Sequence, residues 1–170
     1  MQKIFTTTNS KETRKLGAML AKELHGGEII CLSGELGAGK TTFTQGFLEE
    51  LGAEKPYTSP TFVVMKEYEL KKVKSRKTLE IEKIYHFDAY RIEEVDFLNL
   101  GWEEILVDEK NVSIMEWADK IKKVIPARAI WINFEWKSEK KRKITLVEQK
   151  EALGRLTCQN PKAMLKRIDK

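Results

Sequence analysis

Apolar positions along the chain recur at two different spacings, and each change of spacing marks an element. Asn9 followed three residues later by Glu12 is a helix-start pattern, in which side chains cap backbone N–H groups of the first turn. Leu16, Met19, Leu20 and Leu24 then keep helical spacing, predicting a helix to about Leu24 that His25-Gly26-Gly27 closes. Ile29-Ile30-Cys31-Leu32 is unbroken apolar sequence, as in a parallel strand covered on both faces. A glycine-rich turn follows, then a second helix from about Lys40 to Leu51 that turns Phe43, Phe47, Leu48 and Leu51 inward. Thr61–Leu70 and Leu79–Phe87 read as strands, the second with Leu79, Ile81, Tyr85 and Phe87 in period two. A helical stretch from about Glu93 to Leu106 precedes another buried strand, Val112–Met115. After Pro126, Ile130–Trp136 and Arg142–Val147 form a hairpin, and the last twenty residues read as a helix with a basic tail. Strand, glycine turn, helix and further strands predict an α/β layered domain.

A length of 170 residues fits one domain, expected over 1–148, with 149–170 an appended helical and basic tail rather than a second domain. Hydrophobic residues at 41% and charged residues at 34% exclude collagen-like, disordered and disulfide-stapled classes. No apolar run approaches the roughly 20 residues that cross a bilayer, and the N-terminal residues lack the apolar core of a secretory signal. Cys31 and Cys158 lie far apart, so reduced thiols in a cytoplasmic protein are expected. The formal charge of +5 is unevenly spread. Segments 71–77 and 137–143 hold ten of the 31 basic residues and one of the 26 acidic ones, leaving the remainder mildly acidic. Such segments are either solvated hairpin tips or docks for RNA, an acidic partner or a nucleotide's phosphates.

The most specific motif is Gly34-Glu35-Leu36-Gly37-Ala38-Gly39-Lys40-Thr41, a complete G-x-x-x-x-G-K-[ST] match between a predicted strand and a predicted helix. Glycines let successive backbone N–H groups point into one concavity, and the following helix adds its positive end. Lys40 supplies a mobile charge for β/γ oxygens, and the Thr41 hydroxyl is placed to ligate Mg²⁺. The expected fold is therefore a P-loop NTPase-like layer, with a mostly parallel central sheet, antiparallel additions and flanking helices. Such a site also needs a carboxylate at the end of a neighbouring strand. Val112–Met115 leads into Glu116, and Tyr85–Phe87 leads into Asp88; spacing alone leaves open which meets the metal and which orients water.

Absent motifs narrow the class. There is no Asn-Lys-x-Asp guanine reader and no Leu-Ser-Gly-Gly-Gln transporter signature, and the arginines are dispersed rather than gathered into a kinase lid. His25 and His86, without clustered cysteines, make no zinc site and suit structural or hydrogen-bonding roles. Two other functions stay open beside ATP hydrolysis. One is a small-molecule kinase, distinguished by its phosphorylated product. The other is a nucleotide-gated RNA-binding module without catalysis, distinguished by steep salt dependence.

GELGAGKTT at Gly34–Thr42, Ser59-Pro60-Thr61-Phe62, Tyr85-His86-Phe87-Asp88-Ala89-Tyr90-Arg91, Leu100-Gly101-Trp102-Glu103-Glu104 and Glu116-Trp117 fall in one order. That series resembles the TsaE family, P-loop ATPases of bacterial tRNA threonylcarbamoyladenosine synthesis, over about Thr8 to Val147. The resemblance implies an ATPase that acts with TsaD and TsaB in modifying adenosine 37 of tRNAs reading ANN codons, without itself transferring the group. It implies ATP or ADP as ligand with Mg²⁺, and hydrolysis that is weak alone and stimulated by partners. Carried over by position, the amides of Gly34, Glu35, Leu36, Gly37, Ala38, Gly39, Lys40, Thr41 and Thr42 hold phosphates. Thr41 and Glu116 hold the metal, and Asp88 serves the water or the metal. Thr61 sits on a switch-like segment, Arg142 lies near the nucleotide, and Ser10 lies near the adenine. Lys40, Asp88 and Glu116 are then the catalytic set. Contact with tRNA would be indirect or through segments 71–77 and 137–143. The stretch from Lys71 to Lys83 is longer and more basic than the family pattern, and neither it nor the chain past Glu148 inherits a role.

Overall fold

A computed structural model describes residues 2–70 and 81–147. The expected basic segment 71–77, the Leu79 start of the second predicted strand, Cys158 and the helical tail lie outside the described residues. In chain order the elements are β1 (Gln2–Thr7), α1 (Ser10–Ala21), β2 (Ile29–Gly34), α2 (Lys40–Leu51), β3 (Met65–Glu69), β4 (Lys83–Asp88), α3 (Glu94–Leu98), α4 (Trp102–Val107), β5 (Asn111–Glu116), a 3₁₀ segment (Ala118–Val124), β6 (Ile130–Trp136) and β7 (Arg142–Val147). The strands form one seven-stranded sheet in the order β1-β7-β6-β2-β5-β4-β3. Its centre, β6-β2-β5-β4, is parallel throughout. The outer strands β3, β7 and β1 join antiparallel, as the expected α/β architecture requires.

The parallel strands are buried on both sides, and their alternation divides the core in two. Ile30, Leu32, Ile84, Val112, Ile114, Ile130, Ile132 and Phe134 face α1 and α2. Cys31, Tyr85, Phe87 and Met115 face the opposite way, onto Phe97 of α3, Trp102 of α4 and Ile121. Each such side chain contributes about 1.5–3 kcal/mol on burial, so the two layers hold the strand ends to a fixed height. The α1–α2 contact is close: a Cβ on Gly17 would meet the Phe43 carbonyl oxygen at 2.2 Å, and one on Gly46 would meet that of Arg14 at 2.1 Å.

Several boundaries differ from the sequence reading. Helix α1 stops at Ala21 rather than Leu24, because the Glu28 carboxylate draws the chain away by accepting from the N–H groups of His25 and Gly26, both at 2.8 Å. Thr61–Val64 is a turn instead of the start of a strand: the N–H groups of Val63 and Val64 both donate to the Pro60 carbonyl. The expected helix from Glu93 to Leu106 is two short helices, interrupted at Gly101, whose φ of +73° leaves the helical region. β1 and the 3₁₀ segment were not anticipated.

Candidate functional site

The carboxyl ends of β2, β4 and β5 meet at one edge of the sheet, where open parallel sheets place their ligands. The glycine loop leaves β2 at Gly34, whose φ is +129° and whose added Cβ would lie 2.1 Å from the Phe134 carbonyl oxygen. Only glycine fits there. The loop then enters α2 with Gly39 at the N-cap, which offers no side-chain hydrogen bond to the first turn. The positive end of α2 is thus left uncapped by a side chain beside the loop, as a phosphate cradle demands. Glu35 and Leu36 turn their side chains outward, Leu36 being 82% exposed, so only their backbone groups face the loop's interior as candidates to hold an anion.

Lys40 is buried and folds back over the loop. Its Nζ donates to the carbonyl oxygens of Gly34 at 2.6 Å and Glu35 at 2.9 Å, and lies 3.6 Å from the centre of the Trp117 ring. Burial pushes its ammonium below the ordinary lysine value, while Glu116, Asp119 and Asp88 pull the other way. A polyphosphate in the loop would give this desolvated cation a partner of opposite charge.

The two acids are register partners across β4 and β5, and they occupy different surroundings. Glu116 accepts from the Thr41 hydroxyl at 2.7 Å through Oε2 and from His86 Nε2 at 3.0 Å through Oε1. Asp88 accepts through Oδ2 from the hydroxyls of Ser59 and Thr61, each at 2.5 Å, and through Oδ1 from the Tyr90 N–H at 2.9 Å. Spacing leaves these acids interchangeable; geometry separates them, one against the glycine-loop threonine and the other against the hydroxyls of Ser59 and Thr61. Thr41 and Glu116 form a hard-oxygen pair suited to Mg²⁺, which binds through one or two protein oxygens and takes the rest from phosphates and water. The described residues hold no group of three or more His, Cys, Asp or Glu able to cage an ion, so a cation here would depend on those phosphates.

A cavity of about 480 Å³ opens beside the loop, lined by Thr8, Asn9, Ser10, Thr13, Gly37, Gly39, Thr42, Glu139, Lys140 and Arg142. It brings Ser10 and Arg142, 132 positions apart in sequence, into one lining with loop residues. The start of α1 and the β6–β7 tip reach the same place because β1 pairs with β7, with Thr7 opposite Arg142. Three residues of basic segment 137–143, Glu139, Lys140 and Arg142, accordingly line the cavity rim. Lys137 and Lys143 are spent on Glu135, and the Arg142 Nη1 donates to the Glu139 carbonyl at 2.7 Å. Asn9 and Thr13 have no place in the sequence reading of the site, where Asn9 figures only as a helix cap, whereas Glu139 and Lys140 belong to segment 137–143, one of the candidate docks for a nucleotide's phosphates.

Beside the acids, backbone geometry is strained. Val64, a β-branched residue, has φ of +67°, and its carbonyl oxygen accepts from the Asp88 N–H at 2.9 Å. Trp117, directly after Glu116, has φ of +60° and packs on Tyr90 with ring centres 4.8 Å apart. Such residues cost on the order of 1–3 kcal/mol each and concentrate at ligand clamps and switches. Phe62, on the same turn as Thr61, is 83% exposed, with the Arg91 guanidinium 4.5 Å from its ring centre.

Comparison with known proteins agrees with the motif series. A family model described as threonylcarbamoyl adenosine biosynthesis protein TsaE matches residues 7–144. The tRNA threonylcarbamoyladenosine biosynthesis protein TsaE of Bacillus subtilis is 34% identical over 139 residues, covering 82% of this chain and 81% of that protein. The protein of the same name from Aquifex aeolicus is 34% identical over 140 residues, covering 81% and 90%. Among solved structures, that of Bacillus subtilis YdiB superposes with a TM-score of 0.69 at 27% identity, over 99% of this chain and 95% of that one. No helix among the described residues is long and apolar enough to cross a membrane. With the glycine loop, the paired acids and the Ser59-Pro60-Thr61 segment in one fold, the chain belongs to the TsaE family.

Proposed function

We propose that this protein binds Mg²⁺-ATP and hydrolyses it to ADP and phosphate in the service of threonylcarbamoyl modification of tRNA, working with TsaD and TsaB. The observation that carries this reading is the convergence of Lys40, the Thr41–Glu116 pair and Asp88 around one uncapped helix start. The loop amides and Lys40 grip the β- and γ-phosphates. When bound, Mg²⁺ held by Thr41 and Glu116 neutralises charge on those phosphates. Asp88 orients the attacking water and accepts its proton, a role open to it once Ser59 and Thr61 shift from its Oδ2. The nucleoside end lies in the cavity between Ser10 and Arg142.

Partner dependence has its own support. Asp88 is held by a turn that carries a strained Val64 and an exposed Phe62 and Val63, so its arrangement can be changed by whatever covers that turn. Activity alone should be weak and should rise when TsaD and TsaB are added, because they supply the ordering. Two measurements test this. Calorimetry should detect ATP or ADP binding that Lys40→Ala abolishes or greatly weakens, and released phosphate should increase in the presence of both partners. No binding heat with partners present would sink the nucleotide reading; equal turnover with and without them would sink the coupling alone.

A further inference from the structure

His86 lies two residues before Asp88 on β4, on the face turned toward α2. Both His86 and Glu116 are 1% exposed. A carboxylate oxygen only accepts, so the ring proton in the 3.0 Å contact sits on Nε2 and is donated to Glu116 Oε1. The buried Nδ1 has no hydrogen-bond partner among the described residues. An interior histidine present for stability alone would be expected to satisfy both nitrogens, because a bare buried polar atom costs free energy. Among the described residues this ring has one polar contact, and it is to the acid that also meets the glycine-loop threonine.

We propose that His86 is a positioning residue for magnesium: by holding Oε1 it keeps Oε2 of Glu116 turned toward Thr41 and the phosphate loop. Without it, Oε1 would be a bare carboxylate oxygen in the interior, and the side chain would rotate to find another donor. Groups that orient a metal ligand in this way carry 10- to 100-fold of metal affinity. The inference rests on the magnesium–nucleotide function proposed above, and it concerns affinity for the metal rather than turnover.

Calorimetric titration with a non-hydrolysable ATP analogue, over a series of Mg²⁺ concentrations and in EDTA, separates the two. For His86→Leu, the Mg²⁺ concentration that gives half the tightening should rise about 10- to 100-fold, while affinity in EDTA stays within about twofold. His86→Gln, whose side-chain amide can still donate to Oε1, should recover most of the wild-type response. Unchanged Mg²⁺ dependence in His86→Leu would overturn the proposal, as would a glutamine variant no better than leucine. An equal loss of affinity with and without Mg²⁺ would also overturn it, since that marks a purely structural role. If His86→Leu loses cooperative melting, His86→Gln against the shorter His86→Asn carries the same test. A wild-type chain that binds the analogue equally well in EDTA and in Mg²⁺ would remove the metal reading and this inference together.

Discussion

On one face of β4, Tyr85 and Phe87 enter an aromatic cluster in which Phe87 meets Trp102 edge-on at 5.1 Å and Phe97 at 5.3 Å. On the other face of the same strand, His86 and Asp88 are equally buried but touch hydrogen-bonding partners. β5 repeats the division, with Met115 among apolar neighbours and Glu116 between Thr41 and His86. Adjacent residues of one strand thus serve opposite ends. The aromatic face fixes where the strand ends lie, and the polar face spends that rigidity on aiming two carboxylates. Phe87→Ala should therefore have the largest effect on stability, about 3–5 kcal/mol through lost burial and a cavity, measured by urea unfolding. If Asp88→Asn costs as much, the two faces are not doing different jobs.

The second prediction tests the polar side. Asp88→Asn keeps the size of the side chain and its contact with the Tyr90 N–H but removes the charge that would accept a proton from water. Phosphate release should fall about 100-fold, while ADP affinity by calorimetry stays nearly unchanged. A comparable loss of ADP binding would place Asp88 with the ligand-holding groups and blur the separation from Glu116.

This contrast also decides what was legible beforehand. Gly34–Thr41 stood out because it follows the unbroken apolar run Ile29–Leu32, and Asp88 and Glu116 because each ends a largely apolar predicted strand, broken by His86 in one case and Ser113 in the other. The hairpin strands Ile130–Trp136 and Arg142–Val147 have the bounds the sequence predicts, since alternation and a polar tip coincide there. β1 escaped notice because Gln2–Thr7 buries only Phe5 and Thr7, and its partner β7 lies some 140 residues away. Ile81 kept the period of Tyr85 and Phe87 in sequence but precedes β4 and packs with the α1–α2 cluster instead. Thr61–Val64 read as strand because β-branched residues favour one, yet Pro60 and the positive φ of Val64 make it the turn that holds Asp88. The link from His86 to Glu116 joins two strands, so no local pattern could reveal it.

At the cavity rim, the polar face is held by capping rather than by strand register. Asn9 caps α1 by accepting from the Glu12 N–H at 2.9 Å, and it lines the cavity beside Ser10. Asn9→Ala should cost about 1 kcal/mol of stability, less than Phe87→Ala, and should weaken ADP binding more than turnover per bound nucleotide. Thermal melting and calorimetry on the same samples would read both. A loss of stability with ADP affinity untouched would detach the start of α1 from the proposed nucleotide site.

The smallest expected effect concerns Glu12, which reaches back to the Thr8 N–H at 2.7 Å and the Thr8 hydroxyl at 2.9 Å. The Thr8 backbone N–H, then its hydroxyl, hold this carboxyl below the usual glutamate value despite its exposure. A depressed carboxylate stabilises the folded chain above the unfolded pKa of about 4.3, and the contribution is lost as pH falls through the lower folded value. Solvent screening keeps it under about 1 kcal/mol. Glu12→Gln should thus melt slightly below the wild type at pH 7, and the gap should close below about pH 4. A gap that persists unchanged at pH 3 would mean that the amide loses packing at the rim instead of charge. The α1 start would then resemble the aromatic face of β4, held by shape, more than the carboxylates it adjoins.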